Sequence, residues 1–111
     1  MSEEPDTGAF RPPRFDVTTV VDPDGGGSLL RVTGELDLVS EPRLEAALSQ
    51  APSQPIRIDL SELAFMDSTG LRALLGAART YPGIKLQGPL QPPVRRLLEL
   101  TQTLTILPLE D

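Results

Sequence analysis

Two segments near the N-terminus have the composition of β-strands, with apolar and β-branched residues set among polar ones. They cover residues 15–21 and 29–33, and such runs favour strands because branched side chains pack well on a pleated surface. The residues from Asp22 to Gly27 between them read Asp-Pro-Asp-Gly-Gly-Gly, which is a strong turn signal. The pattern predicts a β-hairpin at the start of the folded chain.

Three later segments show the three- to four-residue spacing of amphipathic helices. The first begins after its predicted N-cap, Ser40, has Pro42 in its first turn, and ends before Pro52. The second is predicted over about residues 69–80, and the third opens at Pro93. The positions that set these spacings are Leu44, Ala47, Leu48 and Ala51, then Leu71, Leu74, Leu75 and Ala78, then Val94, Leu97, Leu98 and Thr101.

Strand-like segments alternate with these helices at residues 56–60, 84–87 and 104–107. A helix between two strands favours a crossover to a parallel neighbour, so the predicted element order is ββαβαβαβ. The fold class is therefore α/β, with a mixed, mostly parallel sheet, an N-terminal hairpin and helices packed on the sheet. Loops at the carboxyl ends of the strands form the natural binding edge of such a domain.

Composition narrows the function. The chain has 111 residues, 39% of them hydrophobic but with only three Phe, one Tyr and no Trp, so we expect one small domain with an aliphatic core. It has no Cys and no His, which excludes disulfides and thiolate chemistry and removes the commonest general base. We predict no metal site and no cofactor, and much of ordinary enzyme chemistry is excluded. The polar, proline-containing residues 1–13 are predicted to be a disordered tail before a domain at residues 14–111.

The formal net charge of −6 argues against nucleic acids and anionic membranes as partners, because both require clustered Lys and Arg. The apolar runs are too short to cross a bilayer, and the start Met1-Ser2-Glu3-Glu4 lacks the pattern of a signal peptide. We therefore expect a cytoplasmic protein that binds other proteins. The sequence leaves its oligomeric state open, a monomer included.

The most informative segment is Asp-Ser-Thr-Gly at residues 67–70, where a buried strand is predicted to turn into a helix. Ser68 is thereby placed at a helix N-terminus, where unpaired amides favour negative charge. We expect the amides of Gly70 and Leu71 to accept a phosphate on Ser68. On composition alone Ser68 could be an ordinary N-cap, and Thr69 could equally fill that role.

Two aspartates follow the second and third strands and admit two interpretations. Asp37 and Asp67 could form an acid/base pair, which would need a pocket and a further polar group. They could also be solvated acids of two loops, which need neither.

These two loops carry a family resemblance. Residues 34–37, Gly-Glu-Leu-Asp, are followed about thirty residues later by residues 60–71, Leu-Ser-Glu-Leu-Ala-Phe-Met-Asp-Ser-Thr-Gly-Leu. Together, in this order, they resemble the STAS domain of bacterial anti-sigma factor antagonists. Residues 93–101 are similar to the last helix of that family. The chain departs from the family in its glycine-rich hairpin turn, its N-terminal tail and Gln102-Thr103.

The resemblance implies a regulatory function rather than catalysis. In that family the unphosphorylated antagonist binds an anti-sigma factor, itself an ATP-dependent serine kinase, and so frees a sigma factor. The kinase phosphorylates the serine after the motif aspartate, and a separate serine phosphatase reverses the modification. Carried over by position, the phosphorylation site is Ser68, and the partner-binding residues are Asp37, Asp67, Ser68, Thr69, Gly70 and Leu71.

A second function stays open beside this one. Some STAS domains are accessory subunits of transport complexes and bind an ABC ATPase. Copurification with such an ATPase would favour that alternative.

Overall fold

The strands of the sheet follow one another in space in the same order as along the chain. A computed structural model describes residues 14–110, with elements β1 (Asp16–Val21), β2 (Ser28–Leu36), α1 (Glu41–Ser49), β3 (Ile56–Met66), α2 (Ser68–Thr80), β4 (Lys85–Gln87), α3 (Pro92–Leu100) and β5 (Leu109–Glu110). β1 and β2 form the predicted antiparallel hairpin, and each later strand adds in parallel. The predicted fold class and element order are confirmed. The predicted tail, residues 1–13, lies outside the described residues.

All three helices lie on one face of the sheet. Right-handed crossovers between parallel strands that follow in order place their helices on the same side. Burial agrees, because side chains along β2 alternate between buried positions such as Leu30 and Val32 and accessible ones such as Arg31 and Thr33. No helix of residues 14–110 covers the other face, which carries mostly polar side chains.

β3 keeps one side buried over its whole length through two irregularities in its pairing with β2. The register shifts after Arg31 and again after Gly34 of β2, and each shift gives β3 one extra residue. As a result Leu60, Leu63 and Met66 all point into the core although they are three residues apart. In a regular strand the same spacing would turn the middle one to the other face.

Residues 104–107, predicted as the last strand, form a turn instead. The amide of Thr103 donates to the carbonyl of Leu98 at 2.9 Å, which folds the chain back onto the end of α3. The carbonyl of Thr103 then accepts from the amides of Ile106 and Leu107 at 3.0 and 3.1 Å. The apolar run has the composition of a strand, but these bonds hold it in the turn, and β5 forms only after it.

Candidate functional site

Two loops meet at the carboxyl edge of the parallel strands. One follows β2 and begins at Asp37, and the other is the short connection from β3 to α2 at Asp67. Leu36 and Met66, the last residues of the two strands, are paired. One step further along, the amide of Asp67 donates to the carbonyl of Leu36 at 3.2 Å. The edge that the sequence indicated therefore brings the two predicted aspartate loops together.

Asp67 is the N-cap of α2. Its Oδ1 accepts from the amide of Thr69 at 2.9 Å and from the amide of Gly70 at 3.1 Å, and its extended backbone (φ −106°, ψ −171°) is typical of a cap. Its carbonyl accepts from the amide of Leu71 at 3.0 Å. The cap is therefore neither Ser68 nor Thr69, the two alternatives that the sequence left open.

Asp67→Ala should destabilise the fold by about 1 kcal/mol, because the amides of Thr69 and Gly70 lose their acceptor. Asp67→Asn, which keeps an oxygen in the same place, should lose less than half as much. Urea unfolding of the three proteins measures the difference. An equal loss for both substitutions would mean that the charge of Asp67 matters more to stability than its hydrogen bonds.

Ser68 is the first residue of α2, and its side chain is exposed. Thr69 is half-buried, whereas Gly70 and Leu71 are buried. The amides of Gly70 and Leu71, which we expected to accept a phosphate on Ser68, both donate to Asp67 in the unmodified domain, so a phosphate would compete with Asp67 for them. The partner-binding function assigned to Gly70 and Leu71 stays a prediction, and their burial limits it to holding α2 in place.

Gly70 allows α2 to begin directly against β2. A Cβ atom at this position would lie 2.6 Å from the carbonyl oxygen of Leu36 and 2.6 Å from Cγ of Met66. Both distances are shorter than any normal van der Waals contact, and the first involves backbone, which cannot rotate away. The absence of a side chain at Gly70 thus sets the distance between the two loops.

The β2–α1 loop is a hydrogen-bonded turn built on Asp37 and Ser40. The hydroxyl of Ser40 donates to the carbonyl of Glu35 at 2.8 Å and accepts from the amide of Asp37 at 2.9 Å. Oδ1 of Asp37 accepts from the amides of Val39 and Ser40, both at 3.1 Å. Ser40 is the N-cap residue of α1, as predicted, but its side chain makes no capping hydrogen bond, because its hydroxyl closes this turn instead.

The turn presents two apolar side chains to solvent. Leu38 is 72% exposed and Val39 is 86% exposed, and both lie between the bonded residues of a turn that fixes their backbone. The sequence pattern did not indicate this pair as part of the site. The available signal was an apolar dipeptide in a loop, directly after an aspartate. We call Asp37, Leu38, Val39, Asp67 and Ser68 the loop edge.

The two aspartates of the loop edge have structural partners rather than catalytic ones. Each uses its Oδ1 to accept backbone amides of its own loop. Within residues 14–110 no three His, Cys, Asp or Glu side chains group in a way that could hold a metal ion. The interpretation as two loop acids fits this geometry better than an acid/base pair.

Several carboxylates lie near the loop edge. Glu41 begins α1 directly after the turn, and a hydrogen bond to the side chain of Glu45 raises the pKa of its carboxyl, with partial burial adding to the rise. The same region holds Asp37 and Asp67. A further negative charge on Ser68 would meet these carboxylates, and the exposed Arg72, one turn later on α2, carries the opposite charge.

The comparison with known families decides the identity of the fold. A family model described as "Mlab, STAS domain" matches residues 19–108. The chain belongs to the STAS domain family. The resemblance seen in the sequence is thereby confirmed, and the matched range covers every element except part of β1 and the last strand.

Relatives of this STAS domain are anti-sigma factor antagonists. The chain is 31% identical over 96 residues to an anti-sigma F factor antagonist of Paenibacillus polymyxa, which covers 78% of this chain and 80% of the relative. It is also 31% identical to the crystal structure of an anti-sigma factor antagonist from Mycobacterium paratuberculosis, with a TM-score of 0.66 and 85% of each chain covered. These relatives are regulatory proteins.

A third similarity supports the fold alone. The structure of the anti-sigma factor antagonist SpoIIAA in its unphosphorylated form aligns with a TM-score of 0.64 at 24% identity, over 88% of this STAS domain and 87% of that chain. No helix among the described residues of the STAS domain is long and apolar enough to cross a membrane.

Proposed function

We propose that this STAS domain is an anti-sigma factor antagonist that, when unphosphorylated, binds an anti-sigma factor with serine kinase activity and so releases a sigma factor. Phosphorylation of Ser68 by that kinase ends the interaction, and a serine phosphatase restores it. The domain is the substrate of this chemistry and supplies no catalytic group, so ATP and Mg²⁺ belong to the kinase.

The observation that carries the proposal is the exposed hydroxyl of Ser68 at the start of α2, within an edge that also exposes Leu38 and Val39. A kinase must draw the acceptor hydroxyl into its own active site, and Ser68 is accessible whereas its neighbour Thr69 is half-buried. The relatives named as anti-sigma factor antagonists supply the class of partner.

Phosphorylation of Ser68 would weaken partner binding by adding negative charge to the loop edge. A phosphate on Ser68 adds about −1.5 to −2 charges directly beside Asp67. The amides of Thr69, Gly70 and Leu71 already bond to Asp67, so they cannot neutralise the phosphate without breaking the cap. In the free domain water solvates the new charge. At a closed interface it would have to be desolvated next to a carboxylate, which is costly.

Leu38 and Val39 should supply apolar contact with the kinase. Replacing both with Ser should weaken binding by about a hundredfold or more, since each buried aliphatic side chain contributes about 1.5–3 kcal/mol and the two together about 3–6 kcal/mol. Stability should change by less than about 0.5 kcal/mol, because both side chains are exposed in the free domain. Titration of the kinase with each protein, followed by a melting curve, separates the two quantities.

The matched control lies at the other end of the helices. Leu100, the last residue of α3, is 73% exposed and Ile106 is 67% exposed, which is similar to the loop pair. Replacing these two with Ser should leave kinase binding unchanged. An equal loss of kinase affinity in both double variants would indicate nonspecific hydrophobic binding rather than a specific interface at the β2–α1 loop.

The proposed function is tested by capture from a lysate of the source organism, followed by phosphate transfer. Wild-type protein, Ser68→Asp and Ser68→Ala serve as baits, and bound proteins are identified by mass spectrometry. We expect wild type and Ser68→Ala, but not Ser68→Asp, to retain an ATP-binding serine kinase. The recovered kinase with ATP should then modify wild type and Thr69→Ala but not Ser68→Ala.

Two outcomes would reject the proposal in favour of a named alternative. Equal recovery of an ABC ATPase by wild type and Ser68→Asp would support the transport accessory function. Phosphate found on Thr69 in the wild-type protein would move the switch by one residue, to a side chain that is half-buried.

A further inference from the structure

The outer edge of β1 is an open strand edge. β1 is the first strand of the sheet, and its one partner among the described strands is β2. Five of its six residues are exposed. Natural proteins commonly protect such edges with Lys, Pro or a bulge, but β1 reads Asp-Val-Thr-Thr-Val-Val and pairs with β2 without a register shift.

The backbone groups that face outward can be assigned from both ends of the strand. The amide of Asp22 donates to the carbonyl of Gly27 at 2.9 Å, across the end of the hairpin. Alternation in an antiparallel ladder then directs the amide and carbonyl groups of Val17, Thr19 and Val21 away from β2. The carbonyl of Phe15 follows the same alternation, and Nη1 of Arg43 donates to it at 2.7 Å.

A groove accompanies this edge on the side of the helices. It has a volume of about 440 Å³ and is lined by Val17, Thr19 and Val21 of β1 and by Ala46, Ala47 and Gln50 of α1. α1 thus forms one wall of this groove, and alternate side chains of one further strand would lie against it. Val20 and Val21 are 42% and 44% exposed, which adds apolar surface along the strand.

We propose that a second copy of this chain occupies the edge, with the two β1 strands pairing antiparallel around a two-fold axis. The middle of the strand is self-complementary, because a pairing centred on Thr18 sets Val17, Thr18 and Thr19 of one copy opposite Thr19, Thr18 and Val17 of the other. The joined sheets would be continuous, with the helices of both copies on the same face and with the two grooves meeting over the paired strands.

Charge selects the register. The helices of both copies lie on one face only if the two-fold axis passes beside one residue, which then pairs with itself. Thr18 and Thr19, the two middle residues of β1, are the candidates for that position. Centring on Thr19 sets Asp16 of one copy opposite Asp22 of the other, twice, and like charges directly opposite are destabilising. Centring on Thr18 sets Asp16 opposite Val20. In this register Val17 of each copy would also exchange two backbone hydrogen bonds with Thr19 of the other copy.

The resulting dimer is weak and depends on salt. Pairing along one short strand covers less than the roughly 1,200 Å² of a standard stable interface, so we expect a dissociation constant of about 10 µM to 1 mM. Each copy has a net charge of −6. Repulsion between the copies is screened as ionic strength rises, so association strengthens with added salt.

Sedimentation velocity of the 111-residue chain over this concentration range tests the proposal. Wild type should pass from monomer to dimer, at lower concentration in high salt. Thr19→Pro, which removes an outward amide and leaves the ladder to β2 intact, should stay monomeric. Thr19→Val keeps the amide and the branched shape and should dimerise as wild type does. A wild type that is monomeric throughout, or a folded Thr19→Pro that still dimerises, overturns the proposal.

Amide hydrogen exchange gives a second test that needs no substitution. The amides of Val17 and Thr19 should exchange fast in dilute wild-type protein and slowly in concentrated protein. The amides of Thr18 and Val20, which face β2, should be protected in both. A dimer that leaves Val17 and Thr19 unprotected would use another surface and would also overturn the proposal.

Discussion

Ser68→Asp should lower the affinity for the proposed anti-sigma kinase by about tenfold to a thousandfold, which corresponds to about 1.4–4 kcal/mol. The new carboxylate would stand beside Asp67 at a surface that must lose its water on binding. The melting temperature should stay within about 2 °C of wild type, because Ser68 is exposed and accepts no core contact. Calorimetric titration of the purified kinase and a thermal scan measure the two effects on the same samples.

Ser68→Ala is the control for this prediction. It removes the hydroxyl without adding charge, and its affinity should stay within about threefold of wild type. If Ser68→Asp instead melts the domain, the loss of binding would follow from unfolding, and the switch would act on the fold. If both variants lose affinity equally, the hydroxyl itself makes the contact and charge is not the cause.

Gly70→Ala should destabilise the domain by about 1–3 kcal/mol, the usual cost of forcing a methyl group into filled space. Its Cβ would stand 2.6 Å from the carbonyl oxygen of Leu36, so either α2 or the end of β2 must move. For a domain of this size the melting temperature should fall by about 4 °C or more. Kinase binding should weaken as well, because the same shift separates Ser68 from the β2–α1 loop.

Gly76→Ala is the matched change in the same helix. A Cβ at Gly76 meets no atom within 4 Å, and Ala is favoured over Gly inside a helix by about 0.5–1 kcal/mol. This variant should therefore be more stable than wild type and bind the kinase normally. Similar melting temperatures for Gly70→Ala and Gly76→Ala would show that α2 can move from β2 without cost.

Much of the architecture could be predicted from the sequence because its local signals agree with one another. The helical spacing that contains Leu71 and Leu74 fixed α2 to within one residue, and the turn composition fixed the hairpin. β5 was placed wrongly because a strand of two residues is too short to show a period. Its position depends instead on the turn that the hydrogen bonds of Thr103 close, because the chain becomes extended only after that turn ends.

The candidate site was predicted in outline but not in its details. Asp67, Ser68 and Thr69 are all good cap residues, so composition cannot choose among them. Tertiary contact decides which of them is the cap. The amide of Asp67 donates to the carbonyl of Leu36, so that β3 ends directly before Asp67 and α2 begins directly after it. The exposure of Leu38 and Val39 was missed for a similar reason. It depends on the turn that Asp37 and Ser40 close, and apolar residues directly after a strand suggest its continuation.

Asp67 gives the domain a link between folding stability and the setting of its proposed switch. The same carboxylate holds the first turn of α2 and provides the negative neighbour against which a phosphate on Ser68 would act. Most substitutions at this position would therefore change both properties together, and only an uncharged capping residue would change one without the other. A relative with Ser in place of Asp67 would keep a capped helix, but phosphorylation would weaken partner binding less. Asn would keep the cap best while removing the charge.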